Sequence, residues 1–129
     1  MVRSEWRADE PIEGPATLSA VGPGTAMVGG SGGRLIAVSY EELAGHRRME
    51  GALPANCRPY QLGAGRPYAT GLTKSIAFDG SDPEADFDRA FLATSGVRLP
   101  SGHWRVTAVA DFVEGRDCSG PSHTLTAAW

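Results

Sequence analysis

Five carboxylates crowd the ten residues Asp79-Gly80-Ser81-Asp82-Pro83-Glu84-Ala85-Asp86-Phe87-Asp88. Clustered hard oxygens suit Ca²⁺, which takes about six to eight of them. The EF-hand spacing fails, because Phe87 stands where that loop needs Gly and Ala93 where it needs its closing Glu. A solvated acidic turn is the plainer reading, so no metal is assigned. The histidines are His46, His103 and His123. His103 and His123 each open a strand after a loop, and pairing of those strands would bring them together as ligands beside an acid. Gly29-Gly30-Ser31-Gly32-Gly33 spells G-x-S-x-G. A nucleophile elbow needs strand, sharp turn and helix, whereas here a strand follows, so the glycines read as a flexible turn. Gly22-Pro23-Gly24-Thr25-Ala26-Met27 starts like a dinucleotide loop, but Met27 replaces the third Gly and Pro23 lacks a donor. His46-Arg47-Arg48 is a basic turn, with a weak anion site the alternative. No nucleophile, base and orienting group can be named together, so the chain reads as non-enzymatic, without a cofactor.

Binding residues are easier to nominate. Tyr60 and Tyr68 flank Gly63-Ala64-Gly65, and Arg66 lies between them. Such aromatics stack on sugars or anchor protein interfaces; their alternative role is to cover a thin core. His123, beside a second loop at 115–122, completes the candidate set of Tyr60, Tyr68, Arg66 and His123. Trp104 is expected in the core.

The elements that must position these residues read as follows. Residues 1–14 form a charged lead-in with an edge strand, and 15–129 one domain. Strands are expected at 15–21 and 34–40, separated by a glycine loop at 22–33. Ser39 and Glu42 match a capping box, which suggests a short helix near 40–48. Residues 50–71 hold Gly, Pro and Cys57 and read as a long irregular loop, a class often functional. Leu72, Lys74, Ile76 and Phe78 alternate, as do Phe87, Arg89 and Phe91, and both runs read as strands. Residues 103–113 give the longest strand, with Trp104, Val106, Ala108, Ala110 and Phe112 on one face. In the last strand His123, Leu125, Ala127 and Trp129 share the apolar face. Period-two alternation with one apolar face marks antiparallel strands on a sandwich core.

Composition agrees. Of 129 residues, 24 are Leu, Ile, Val or Phe and 26 are Gly or Pro, which suits short strands and turns over a sparse core. A net charge of −3 argues against a nucleic-acid partner. No apolar run is long enough to span a membrane. Cys57 and Cys118 form no C-x-x-C pair, and each lies in a polar, turn-rich stretch. Free thiols favour apolar surroundings, so a Cys57–Cys118 disulfide is expected, closing a loop of about 60 residues and contributing roughly 4 kcal/mol. It would imply an oxidising compartment. Polar residues follow Met1–Ser4, so export implies a leader already removed. Arg supplies 11 of the 12 basic residues, as codon drift in a high-GC genome would produce.

Leu99-Pro100-Ser101-Gly102-His103-Trp104-Arg105-Val106-Thr107-Ala108 resembles the L-P-x-G-x-W/Y-x-V-x-A strand of immunoglobulin-like domains in exported bacterial proteins. The resemblance covers 72–129 and implies a sandwich, without implying an activity. The fold expected is therefore all-β, an antiparallel immunoglobulin-like sandwich of about six to eight strands, with the disulfide tying loops outside the core. The function expected is a non-catalytic binding module of a secreted or cell-surface bacterial protein. It would take a protein or carbohydrate through disulfide-clamped loops. The alternative is a structural subunit of a homo-oligomer, such as a shell or tail component, joined through edge strands or the Trp129 end.

Overall fold

The computed structural model describes residues 5–7, 10–20, 24–31, 34–53, 56–63, 65–74, 76–77, 79–115 and 118–128. Phe78 and Trp129, Gly22, Pro23, Gly32 and Gly33 of the glycine motifs, and Ala64 lie outside them. The strands are β1 (Pro15–Leu18), β2 (Thr25–Ser31), β3 (Ile36–Glu42), β4 (Arg48–Gly51), β5 (Cys57–Gly63), β6 (Tyr68–Gly71), β7 (Ile76–Ala77), β8 (Trp104–Glu114) and β9 (Ser122–Ala128), with helix α1 (Ala85–Ala93) before β8. Every strand pairing is antiparallel. The fold is the all-β, sandwich-like architecture that the alternating sequence implies.

β8 is the hub. Its Trp104–Ala110 stretch pairs with β3, and Val113 and Glu114 pair with Gly29 and Val28 of β2. Val113 also pairs with Ser122, so β9 occupies the opposite edge of β8. β2 carries β5 on its far side, and β3 carries β4 and then β7. β1 and β6 form a separate two-stranded sheet.

The core lies against the even-numbered face of β8. Val106, Ala108 and Ala110 are buried there, in register with Tyr40, Val38 and Ile36 of β3. β1 (Ala16, Leu18), α1 (Phe91) and the 97–99 segment (Val97, Leu99) join the same cluster. Tyr40 meets Phe91 edge-to-face at 5.3 Å and donates its hydroxyl to the Thr73 carbonyl at 2.6 Å. Trp104 sits at the margin, half-buried, parallel to Phe87 with its indole N–H on the Pro100 carbonyl at 3.0 Å.

Four sequence expectations are corrected. The helix near 40–48 is absent: β3 runs to Glu42, and a bend leads into β4. Strand pairing buries Tyr40 and Met49 almost completely, and the Ser39 hydroxyl accepts the Gly51 N–H at 2.8 Å instead of capping a helix. Conversely, the expected strand through Phe87, Arg89 and Phe91 is α1. Phe87 and Phe91 are four apart, a spacing that satisfies both a two-residue and a helical period, and the buried Ala85, Asp88 and Phe91 follow the helical one. The 22–33 glycine loop contains β2, and the irregular 50–71 segment contains β5 and β6. Seven residues of β2 are in register with seven of β5, so long-range pairing overrides the local turn signal.

The glycines of β2 are required by crowding. A Cβ on Gly29 would lie 2.6 Å from Cys118 Sγ and 3.2 Å from Cys57 Sγ. A Cβ on Gly30 would run into the Leu35 side chain and lie 2.6 Å from the Arg34 carbonyl oxygen. The disulfide thus lies over one face of β2 and the core over the other. No helix among the described residues is long and apolar enough to cross a membrane.

Candidate recognition surface

The Cys57–Cys118 disulfide is formed, with the Cα atoms 6.1 Å apart. Cys57 begins β5, paired with Ser31, and Cys118 lies in the β8–β9 connection. The bond therefore straps β5 to that connection across β2. Cys118 holds φ 58°, the left-handed region uncommon for a side chain with a Cβ.

Tyr60 of β5 and Tyr68 of β6 meet across the connection between these strands, which belong to different sheets, and Arg66 lies in that connection with its N–H on the Gly63 carbonyl at 2.9 Å. The tyrosine rings pack edge-to-face at 5.3 Å, and Tyr60 donates to the Pro67 carbonyl at 3.3 Å. Both rings are half-buried against the core, and the edge of one covers a face of the other; Arg66 is exposed. His123 lies apart on β9. It stacks on Phe112 with ring centres 5.4 Å apart, and its Nε2 is hydrogen-bonded to Glu114 at 3.0 Å. Glu114, Val28 and Tyr60 form one row across β8, β2 and β5, so His123 and Tyr60 approach the same end of the sheet.

The other nominated residues are engaged structurally. His103 and His123 do not converge: His123 pairs with Phe112, while His103 precedes β8, roughly 30 Å of extended strand away. Arg48 pairs with Glu41 at 2.6 Å, and Arg47 lies over the Phe87 ring at 4.5 Å, so the basic turn is not a free anion site. In the acidic segment, Asp79 accepts the Ser81 N–H and hydroxyl, which hold its carboxyl below the usual range. Asp82 accepts the Glu84 N–H at 2.9 Å, and His46 is hydrogen-bonded to Glu84 at 2.9 Å. Asp88 is buried; desolvation first, then Asp82 and Glu84, push its carboxyl up. Among the described residues, no group of three or more His, Cys, Asp or Glu is placed to hold a metal. An open groove of about 650 Å³ lies between Pro11–Pro15 and the Ala69–Leu72 stretch, with Val97 beside it.

What alternation in the sequence does not reveal about β9 is its exposure. The strand was expected to turn His123, Leu125 and Ala127 inward, and these do share the core-side face of β8 through their partners Phe112, Ala110 and Ala108. Yet all seven residues of β9 are exposed, Leu125 at 54%, and among the described residues none of them joins the core cluster.

Its hydrogen-bond phase follows from neighbouring contacts. Glu114 N–H donates to the Pro121 carbonyl at 2.9 Å, so 114 and 121 form a hydrogen-bonded pair. Alternation then makes Phe112–His123 and Ala110–Leu125 hydrogen-bonded pairs as well. The Asp111 N–H, donating at 2.8 Å to Leu35 on the β3 side, has the phase this requires. The N–H and C=O groups of Ser122, Thr124, Thr126 and Ala128 therefore point away from β8. Among the described residues, no strand pairs with that edge. The signal in the sequence was the absence of Lys, Arg, Asp and Glu from Ser122–Ala128.

No family model, curated protein or solved structure matches this chain.

Proposed function

We propose that this chain is a non-catalytic protein-interaction module of an exported protein, and that it recognises its partner by strand addition to β9. The single observation carrying this is a seven-residue strand exposed on both faces, with one main-chain edge unpaired among the described residues. An extended partner supplies main-chain hydrogen bonds to such an edge, and side chains at alternate positions select it. His123, Leu125 and Ala127 border the edge on the core-side face. The engagement of Tyr60 and Tyr68 with each other favours a protein over a carbohydrate ligand.

The disulfide supports both halves of the reading. It fits an oxidising compartment, and it anchors the connection leading into β9, so less order is lost on binding.

Immobilised wild-type protein and Thr124→Pro provide the test, offered the cell-surface and secreted fraction of the source cells. Proline at 124 removes an outward N–H and leaves the β8–β9 ladder intact. Wild type and Arg66→Ala are expected to retain the same partner, and Thr124→Pro, folded by circular dichroism, to lose it. Equal retention by Thr124→Pro would refute recognition at this edge.

A further inference from the structure

We infer that the strand that adds to β9 is β9 of a second copy of this chain, giving an antiparallel two-fold dimer. The inference rests on the reading of β9 as the recognition edge and names its occupant.

Register comes first. Centred on Leu125, an antiparallel pair sets Thr124 of one copy against Thr126 of the other, Ser122 against Ala128, and Leu125 against itself. Thr124, Thr126, Ser122 and Ala128 are the residues whose main-chain groups face outward, so every outward donor meets an outward acceptor. The faces match too. The hydroxyl row of Thr124 and Thr126 meets its own kind, a favourable cross-strand pairing. His123, Leu125 and Ala127 meet the same apolar row.

Charge selects the occupant. β9 carries no Lys, Arg, Asp or Glu, so a charged strand finds nothing there to pair with. Copies of a chain with net charge −3 carry a net repulsion. At β9 they bring no like charges together, since His123 already faces Glu114 at 3.0 Å and would meet Ala127. The edge also lacks protection. Natural edge strands carry Pro, Lys, a bulge or short length against self-pairing. β5, which among the described residues pairs with β2 and no further strand, has Pro59 and the exposed Arg58, and β1 and β6 have four residues each. β9 has none of these among its seven residues. A self-complementary edge closes at two copies, so the product is a dimer and not a filament.

One strand per copy gives an interface at the small end of the known range, below about 1,200 Å² in total. Dissociation at roughly 10–100 µM is therefore expected. The test is sedimentation equilibrium from about 1 µM to about 1 mM, with amide exchange of Thr124 and Thr126 followed over the same range. The wild type should dimerise, and those two amides should slow with concentration. Thr124→Pro, and separately Leu125→Lys, which sets two ammonium groups at the axis, should weaken the dimer at least about tenfold with the fold intact. A monomer at about 1 mM with both amides exchanging freely overturns self-pairing, whereas β9 as an edge for another strand survives. A dimer insensitive to both variants also overturns it. Failure of the edge reading itself is recognised separately, by a heterologous partner that Thr124→Pro still retains.

Discussion

At 4% exposure on the buried side of α1, the Asp88 carboxylate leaves Oδ1 without a hydrogen-bond partner among the described residues. An unpaired buried acceptor costs about 1–3 kcal/mol, more when charged. Burial, with Asp82 and Glu84 adding repulsion, raises the carboxyl above its ordinary value. The folded chain therefore holds this proton more tightly than the unfolded chain. Its stabilising effect is complete below the unfolded carboxyl range and is lost as pH rises through the raised folded value. Asp88→Asn removes that dependence. Urea unfolding from pH 3 to pH 8, a range starting about one unit below the ordinary carboxyl value, should show the variant gaining on wild type as pH rises, by on the order of 1 kcal/mol at neutrality. Equal stability across the range would show that this carboxylate is solvated. Gly29 gives a second test at this scale. Its Cβ would meet both disulfide sulfurs. Gly29→Ala should cost about 1–3 kcal/mol in the oxidised protein and clearly less in a Cys57→Ala/Cys118→Ala background, as a double-mutant cycle would measure.

Between residue and domain, α1 depends on one side chain from outside it. Lys74 donates through Nζ to the carbonyls of Phe91 at 3.2 Å, Leu92 at 3.3 Å and Thr94, the last turn of the helix. No basic residue lies within that turn itself, so Lys74 supplies the cation that the helix C-terminus favours. Lys74→Met keeps the aliphatic stem and removes the donors. It should cost about 1–2 kcal/mol, discounted for partial exposure, and lower Tm by several degrees in a thermal melt. An unchanged Tm would mean that solvent already satisfies these carbonyls. The elements also show where the sequence was legible. β8 was readable because the buried Val106, Ala108 and Ala110 alternate with Arg105, Thr107, Val109 and Asp111, which are exposed or half-buried. β3 was readable as an apolar run because it is central. α1 was misread because Phe87 and Phe91 fit two periods at once. β2, β5 and β6 were misread because their stability comes from partners distant in sequence, while Gly29, Gly30 and Pro59 speak locally for turns. Of the candidate site, the Cys57–Cys118 bond was legible from the polar, turn-rich surroundings of both cysteines, whereas the packing of Tyr60 on Tyr68 was not, since the sequence only sets them on either side of a glycine turn. The exposure of β9 was not, since alternation tells which residues share a face and not whether a second layer covers it.

For the whole molecule, the decisive architectural fact is that the covalent strap lies outside the core. The Cys57–Cys118 bond spans 61 residues of sequence, and its sulfurs pack over Gly29 on the side of β2 away from Leu35. The core cluster draws on β1, β2, β3, β4, β5, β8, α1 and 97–99, and not on β9. Two consequences of breaking the bond can therefore be separated. Chain entropy in the unfolded state predicts a global loss of roughly 4 kcal/mol, shared by every element. Release of the β8–β9 connection acts locally, because among the described residues β8 is the strand that pairs with β9. Amide exchange of Cys57→Ala/Cys118→Ala should accordingly show β9 opening well below the global unfolding free energy, while β3 and the centre of β8 still exchange by global unfolding. If β9 is where a partner strand adds, this local opening weakens binding even at temperatures where the core stays folded, because the edge must then be ordered at the moment of association. Reduction would thus abolish recognition before it abolishes the fold. Parallel loss of both, along one denaturation curve, would show that strap and core form a single cooperative unit and that β9 is no more separable than β3.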